Sequence, residues 1–334
     1  MGIDALLNIA ARERGGILSF RDFCEIALFA PKYGYYARKR ERVGTAAGTD
    51  FYTSATMGDV FGKRLVASAQ SLLAEAGIDS RECTFVEIGS EPGQCHLEEA
   101  AGVFAETKTF RLGETIEIPE KSVVFANELL DAQPFHRLVF KEGKWREIGV
   151  FRSRDSEWLE TVLPEISTDA LARFISEALP QQIDEDWHLD IALDAEMLLQ
   201  KILAGNWHGA MIFPDYGKRL ADCLDTFPAG TARAYFRHSQ SNALTARPGE
   251  QDLTCHVLWD RLEPIAEAAG FSRVQTLRQE AFFMKFALPA IQEIIDAGER
   301  QHSESAMRER AKLIEIIHPG KMGHAFQVLS AIRN

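Results

Sequence analysis

The chain has 334 residues, with 37 Lys plus Arg against 49 Asp plus Glu and a formal net charge of −12. It is 46% hydrophobic and 26% charged, an ordinary globular balance that excludes disordered and fibrous classes. The acidity argues against nucleic acid or anionic lipid as a partner, because both require a cationic face.

The length suits about two domains. No apolar run reaches the roughly 20 residues of a membrane span. The start, Met1-Gly2-Ile3-Asp4, lacks the layout of a signal peptide, and Asp4 and Glu13 fit poorly with a transit peptide. The expectation is a cytoplasmic protein. The five cysteines, Cys24, Cys83, Cys95, Cys223 and Cys255, form no C-x-x-C pair. They read as small buried hydrophobes, with no disulfide framework and no metal site.

In chain order, Phe20, Phe23, Ile26 and Ala27 recur at helical spacing until Pro31-Lys32-Tyr33-Gly34-Tyr35-Tyr36 breaks the pattern. A polar stretch around Asp50 follows. Val60 to Leu73 then predicts an amphipathic helix with Phe61, Leu65, Ser68 and Leu72 on one stripe. Thr84 to Gly89, Ser122 to Glu128 and Gly209 to Gly217 are short apolar runs with polar ends, the mark of buried parallel strands. Leu189 to Leu203 and His256 to Ala269 carry helical patterns, the second closed by Gly270. The acid-rich region near 151–190 reads as an insertion over the sheet edge. Alternating strands and helices imply a parallel α/β sheet with ligands at the carboxyl ends of its strands. The expected division is a helical N-terminal segment with a cap loop over 1–75, then a single α/β domain over 76–334.

Three segments carry chemistry. Glu87-Ile88-Gly89-Ser90-Glu91-Pro92-Gly93 joins a strand to a helix with two glycines, which suits close backbone approach by a ligand and equally a structural turn. Asn127-Glu128-Leu129-Leu130-Asp131 sets an amide and two carboxylates after a buried strand. There they meet a ligand or cation, or else cap a helix. Asp50 lies between aromatic and hydroxyl residues, as in a binding loop or a turn. His238 and His256 read as satisfied histidines without catalytic work.

Together these segments resemble the MidA family of S-adenosylmethionine-dependent methyltransferases, which includes a mitochondrial complex I assembly factor that methylates an arginine of a partner subunit. The matching stretches are Pro31–Tyr36, Asp50–Ser54, Phe61-Gly62, Glu87–Gly93, Asn127–Pro134, Asp215–Gly217, Gly249–Val257, Met322-Gly323 and Phe326–Leu329, in the family's order over almost the whole chain. The resemblance implies a Rossmann-like methyltransferase sheet of seven strands, with a helical N-terminal segment and insertions. It implies S-adenosylmethionine over the Gly89–Gly93 turn, near Glu87, with Asn127 facing the reactive methyl. A protein arginine is the implied acceptor, gripped by Glu128 and Asp131, with Asp50 as a third candidate.

The sequence departs from the family in two places. Glu91 stands where the middle glycine of E-x-G-x-G-x-G belongs, and Pro92 pushes it toward extended backbone. Between Gly93 and Ser122 there is room for one helix near Gln94–Val103 and two extended pieces, Thr109–Leu112 and Thr115–Ile118. Glu106 is the nearest acid to hold ribose hydroxyls. These departures favour an alternative, a cofactor-impaired relative acting as a binding or assembly factor. A nicotinamide-dependent oxidoreductase is a third reading, disfavoured because G-S-E-P-G lacks the glycine that approaches a pyrophosphate.

Overall fold

The computed structural model of the chain describes residues 2–38, 42, 57–90, 96–300 and 303–334. They form two compact units, each assembled from three stretches of chain. The first takes Met1–Arg40, Leu130–Leu198 and Gly217–Asp260; the second takes Glu41–Leu129, Leu199–Tyr216 and Arg261–Asn334.

The second unit is built on a six-stranded sheet. Its strands lie in the order Ser272–Arg278, Gln327–Arg333, His208–Asp215, Lys121–Ala126, Thr84–Ile88 and Glu106–Phe110. The last four run parallel to one another. Gln327–Arg333 is antiparallel to both of its neighbours. All three apolar runs read from the sequence are therefore strands, at Thr84–Ile88, Lys121–Ala126 and His208–Asp215. They are buried because helices cover a parallel sheet on its faces. The Glu106–Phe110 strand lies at the edge, where Glu106 and Lys108 oppose further pairing.

Over this sheet lies the helix Asp59–Glu75. Its predicted stripe of Phe61, Leu65, Ser68 and Leu72 is buried throughout. Phe61 and Leu65 share one core with Val123, Phe125, Ile212 and Val328 of the strands.

The expected seventh strand is absent among the described residues. Only residues 111–120 join the edge strand to Lys121–Ala126, too few for a further strand with a helix on either side of it. Thr115–Ile118 belongs to no strand, and of the expected helix near Gln94–Val103 the described part is a single turn, Leu97–Ala100. This short connection leaves the rest of the α/β sheet in order.

The first unit is largely antiparallel. Ile17–Ser19 pairs with Lys144–Arg152, which pairs in turn with His136–Lys141 and Trp158–Val162, and His136–Lys141 pairs with His188–Ile191. Two helical expectations are corrected here. Leu189 to Leu203 begins as the strand His188–Ile191 and turns helical only at Leu193–Leu203. His256 to Ala269 begins with the strand Val257–Leu258 before the helix Trp259–Ala268. In both, a long-range partner strand captures residues whose local pattern also suits a helix.

Asp190, in the strand His188–Ile191 of that sheet, is buried. It accepts the Arg137 Nε–H at 3.0 Å and the amide hydrogens of Thr231 and Ala232 at 2.7 Å each. Four of the cysteines, Cys24, Cys83, Cys223 and Cys255, are buried and unbridged, and burial raises each thiol's pKa. They are the small core hydrophobes expected of them; Cys95 lies outside the described residues.

Candidate functional site

The strand order defines where a ligand goes. From Thr84–Ile88 the chain moves outward to the edge strand Glu106–Phe110 and returns to Lys121–Ala126 on the other side. The order reverses between Thr84–Ile88 and Lys121–Ala126, which opens a crevice at their carboxyl ends.

Gly89 ends the first of these strands with φ +82° and is exposed. A Cβ there would stand 2.8 Å from Leu129 Cδ1. The Gly89 N–H donates to the Phe110 carbonyl at 2.8 Å, and the Ser90 and Thr109 hydroxyls are 2.9 Å apart. These bonds tie the glycine turn to the edge strand.

Glu87 precedes the turn and is 3% exposed. Its Oε2 accepts the His96 amide N–H at 2.8 Å. Burial, with the Glu99 charge adding, pushes its pKa up to about 7 against the opposing pull of the His96 amide and Arg111. The His96 ring lies among Phe61 and Phe125, at centroid distances of 5.2 and 5.8 Å, and neither ring nitrogen has a hydrogen-bond partner. Burial lowers its pKa to about 4, so the imidazole is neutral. Glu99 packs against Gly62, where a Cβ would meet its Cδ at 2.7 Å.

Across the crevice, Asn127 Nδ2 donates to Glu128 Oε1 at 2.8 Å. The Glu128 N–H donates to the Pro214 carbonyl at 3.0 Å, and Glu128 has φ +50°. A glutamate in left-handed backbone costs of order 1–3 kcal/mol and persists where its surroundings enforce it. Pro214 leads to Asp215, buried, whose Oδ1 accepts the Tyr216 N–H at 2.8 Å.

Of the residues singled out in the sequence, Glu87, Gly89, Asn127 and Glu128 meet at this carboxyl edge. Glu106 does not. It pairs with Thr84 at the amino end of its strand, while Ile88 pairs with Phe110 at the other end, about 13 Å away by strand rise. At the carboxyl end of that strand lie Thr109 and Phe110, and beyond them the Glu114 Oε2 accepts the Arg111 N–H at 2.7 Å. Asp131 lies in the first unit, 4% exposed, with its carbonyl accepting the Cys255 N–H. Near it the Tyr36 phenol donates to Asp252 Oδ1 at 2.9 Å. Burial, then the Asp252 charge, raises the Tyr36 pKa well above 10. Asp50, Glu91 and Gly93 lie outside the described residues.

The left-handed Glu128 and the Glu87 bond to His96 were not readable in the sequence, since neither side chain type favours such a role. The Ser90 and Thr109 hydroxyls had a faint signal, Ser90 directly following the turn glycine.

A glycine turn at the switch point of a mostly parallel α/β sheet, with carboxylates on both sides, is the arrangement of an α/β protein that takes its ligand at the carboxyl ends of its strands. Residues 72–277 match the family described as "putative S-adenosyl-L-methionine-dependent methyltransferase", and the chain belongs to this family. Its cofactor is S-adenosylmethionine.

The chain is 24% identical over 95% of its length, and 84% of the other's, to the protein arginine methyltransferase NDUFAF7, mitochondrial, of Danio rerio. It is 27% identical over 64% of its length, and 51% of the other's, to the NDUFAF7 homolog of Drosophila melanogaster. Its fold matches a COG1565 superfamily member from Burkholderia thailandensis bound to S-adenosyl-homocysteine, with TM-score 0.86 and 22% identity over 99% of this chain and 92% of that one.

The residues at the crevice fit the cofactor. Gly89 is exposed and has no side chain to block close approach, and on the helical turn Leu97–Ala100 the Glu99 Oε2 is buried without a partner among the described residues. When bound, the cofactor supplies an electrophilic methyl group on a sulfonium. Among the described residues no helix is long and apolar enough to cross a membrane, and no three His, Cys, Asp or Glu side chains are grouped to hold a metal.

Proposed function

We propose that the methyl acceptor is the guanidinium of a protein arginine. The observation that carries this reading is Glu128, a carboxylate held at the switch point in a strained backbone conformation and braced by Asn127. The named activity of the relatives supports the same acceptor. Asn127, Glu87, Gly89 and Gly93 are the proposed cofactor residues. Glu106 is not among them, because its strand carries it to the far edge.

Arginine is cationic and planar, and carboxylates orient it through paired N–H···O bonds. The bound cofactor would supply the methyl group, and the acceptor nitrogen would have to be held in line with it. The nitrogen then sheds a proton to a carboxylate or to water. Such a displacement depends on alignment more than on acid or base strength. Glu128 is proposed to supply the alignment, and Asp131 is the second proposed carboxylate, on its sequence setting. Asp50 is the third, on its sequence setting alone.

The test is methyl transfer from isotopically labelled S-adenosylmethionine to arginine-containing proteins, followed by amino-acid analysis. Methylarginine formed by the natural chain, and at least about 100-fold less by Glu128→Gln, supports the reading. Label on lysine or on a small molecule overturns the acceptor. Tight cofactor binding with no transfer to any protein favours the alternative of an assembly factor.

A further inference from the structure

The strand His208–Asp215 runs parallel to Lys121–Ala126 and ends at the same carboxyl edge of the sheet. Continuing the pairing of Phe125 with Ile212 brings Glu128 level with Asp215, and the Glu128 N–H donates to the Pro214 carbonyl at 3.0 Å. On the other side Gln327 pairs with Asp215, so the next residues along are Phe326 and Tyr216. Their rings meet there, with centroids 4.1 Å apart and planes at 39°. On the reading that the acceptor is an arginine, we propose that Tyr216 is the specificity-determining residue: its ring is the wall on which the planar guanidinium stacks while Glu128 accepts the N–H groups.

Three features of the geometry carry this. First, the aromatic pair has an inner and an outer member. Phe326 is fully buried and Tyr216 is partly exposed. The inner residue is fixed by its backbone, its carbonyl accepting the Gln279 N–H at 3.0 Å and its N–H donating to the Met322 carbonyl at 3.2 Å. The outer ring is therefore backed on one side before any ligand arrives, and a preorganised ring loses little conformational entropy on binding.

Second, the point at which Tyr216 leaves the strand is set. Asp215 is 1% exposed, and its Oδ1 accepts the Tyr216 N–H at 2.8 Å. Third, the setting suits a cation. Asp215 and Glu128 carry two carboxylates at neighbouring strand ends, and the face of a tyrosine ring attracts positive charge. A guanidinium stacks flat on such a ring and presents its N–H fork to a carboxylate at once; an ammonium is compact and strongly hydrated and does neither as well.

A ring that merely fills space and a ring that selects the acceptor respond differently to substitution. Tyr216→Phe keeps the aromatic face. Tyr216→Leu keeps an apolar side chain over Phe326 and loses the face.

The experiment titrates the full chain, saturated with S-adenosylhomocysteine, with two octapeptides, one of alternating glycine and arginine and one of alternating glycine and lysine. The natural chain is expected to bind the arginine peptide at least about tenfold more tightly than the lysine peptide. Tyr216→Leu is expected to lose roughly tenfold for the arginine peptide and far less for the lysine peptide, while Tyr216→Phe recovers most of that loss. Full arginine preference in a folded Tyr216→Leu chain overturns the proposal and leaves the arginine reading standing. So does an equal loss of S-adenosylhomocysteine affinity in Tyr216→Leu, which would put the ring on the cofactor. A natural chain without preference for the arginine peptide also overturns the proposal; the labelled-methyl analysis decides the arginine reading separately.

A second measurement uses the natural chain and covers the case in which Tyr216→Leu is poorly folded. With tyrosine rings isotopically labelled, the Tyr216 resonances are assigned by their loss in Tyr216→Phe. They are expected to shift on saturation with the arginine peptide and to move much less with the lysine peptide. Tyr216 resonances unmoved by the arginine peptide overturn the stacking.

Discussion

Leu129 Cδ1 stands 2.8 Å from the point where a Cβ on Gly89 would lie, so the side chain after Glu128 fills the space that the glycine leaves empty. The two strand ends that flank the crevice are thus fitted to one another. With φ +82° at Gly89, the turn is closed to other residues twice over, by conformation and by its neighbour. Leu129 is a flexible side chain and can give way; the backbone cannot. Gly89→Ala is therefore expected to cost about 1–2 kcal/mol from the left-handed backbone alone. Urea unfolding measures that cost, and calorimetry with S-adenosylhomocysteine should show weakened binding in the same variant.

Glu128 presents the opposite case. Its φ of +50° suits glycine better than glutamate. Glu128→Gly is expected to stabilise the chain by about 1 kcal/mol while abolishing methyl transfer, a trade typical of residues kept for function. A variant that is both less stable and still active would show that Glu128 is structural.

Two buried groups near the turn make stability depend on pH with opposite signs. The Glu87 pKa is raised to about 7 from 4.5, so the folded chain holds a proton that the unfolded chain releases between those values. Its contribution falls as pH rises from about 4.5 to 7, by about 3 kcal/mol in all. The His96 pKa is lowered to about 4 from 6.5, so its contribution falls as pH drops through that range. The natural chain should be nearly level between, because the two trends offset. Glu87→Gln removes one of them. Its stability relative to the natural chain should increase from pH 5 to pH 8 in urea titrations; an advantage independent of pH would contradict the assignment.

At the amino end of the central strands, Gly209 has φ +124°, and a Cβ there would meet the Ser122 carbonyl oxygen at 2.1 Å. That obstacle is backbone within a parallel pair. Gly209→Ala should cost roughly 3 kcal/mol or more, visible as a fall in the thermal midpoint, without a direct effect on the crevice at the other end of the strands.

In the first unit, Asp190 joins Arg137 to the backbone of Thr231 and Ala232. Asp190→Ala leaves a buried guanidinium and two amides short of a partner. About 3–5 kcal/mol of destabilisation is expected from such a break, measured by chemical unfolding. Replacing both Asp190 and Arg137 with apolar residues should cost less than replacing Asp190 alone.

The buried strands at Thr84–Ile88, Lys121–Ala126 and His208–Asp215, the stripe of helix Asp59–Glu75 and the cofactor class were all legible in the sequence. Each rests on local information: continuous apolar runs, a 3.6-residue period, and short motifs in a fixed order. The placement of Gly89, Asn127 and Glu128 at the carboxyl ends of their strands was legible too, because residues that follow a buried strand emerge there.

The tertiary structure alone decided the rest. Pairing with Thr84–Ile88 set the edge strand at Glu106–Phe110, earlier than the extended piece expected at Thr109–Leu112, so Glu106 opens the strand at its amino end. Long-range pairing turned His188–Ile191 and Val257–Leu258 into strands. The left-handed Glu128 and the bond from Glu87 to His96 depend on neighbours that lie apart in the chain. Local sequence determines which residues are buried or exposed at the end of an element; only packing determines what each of them then touches.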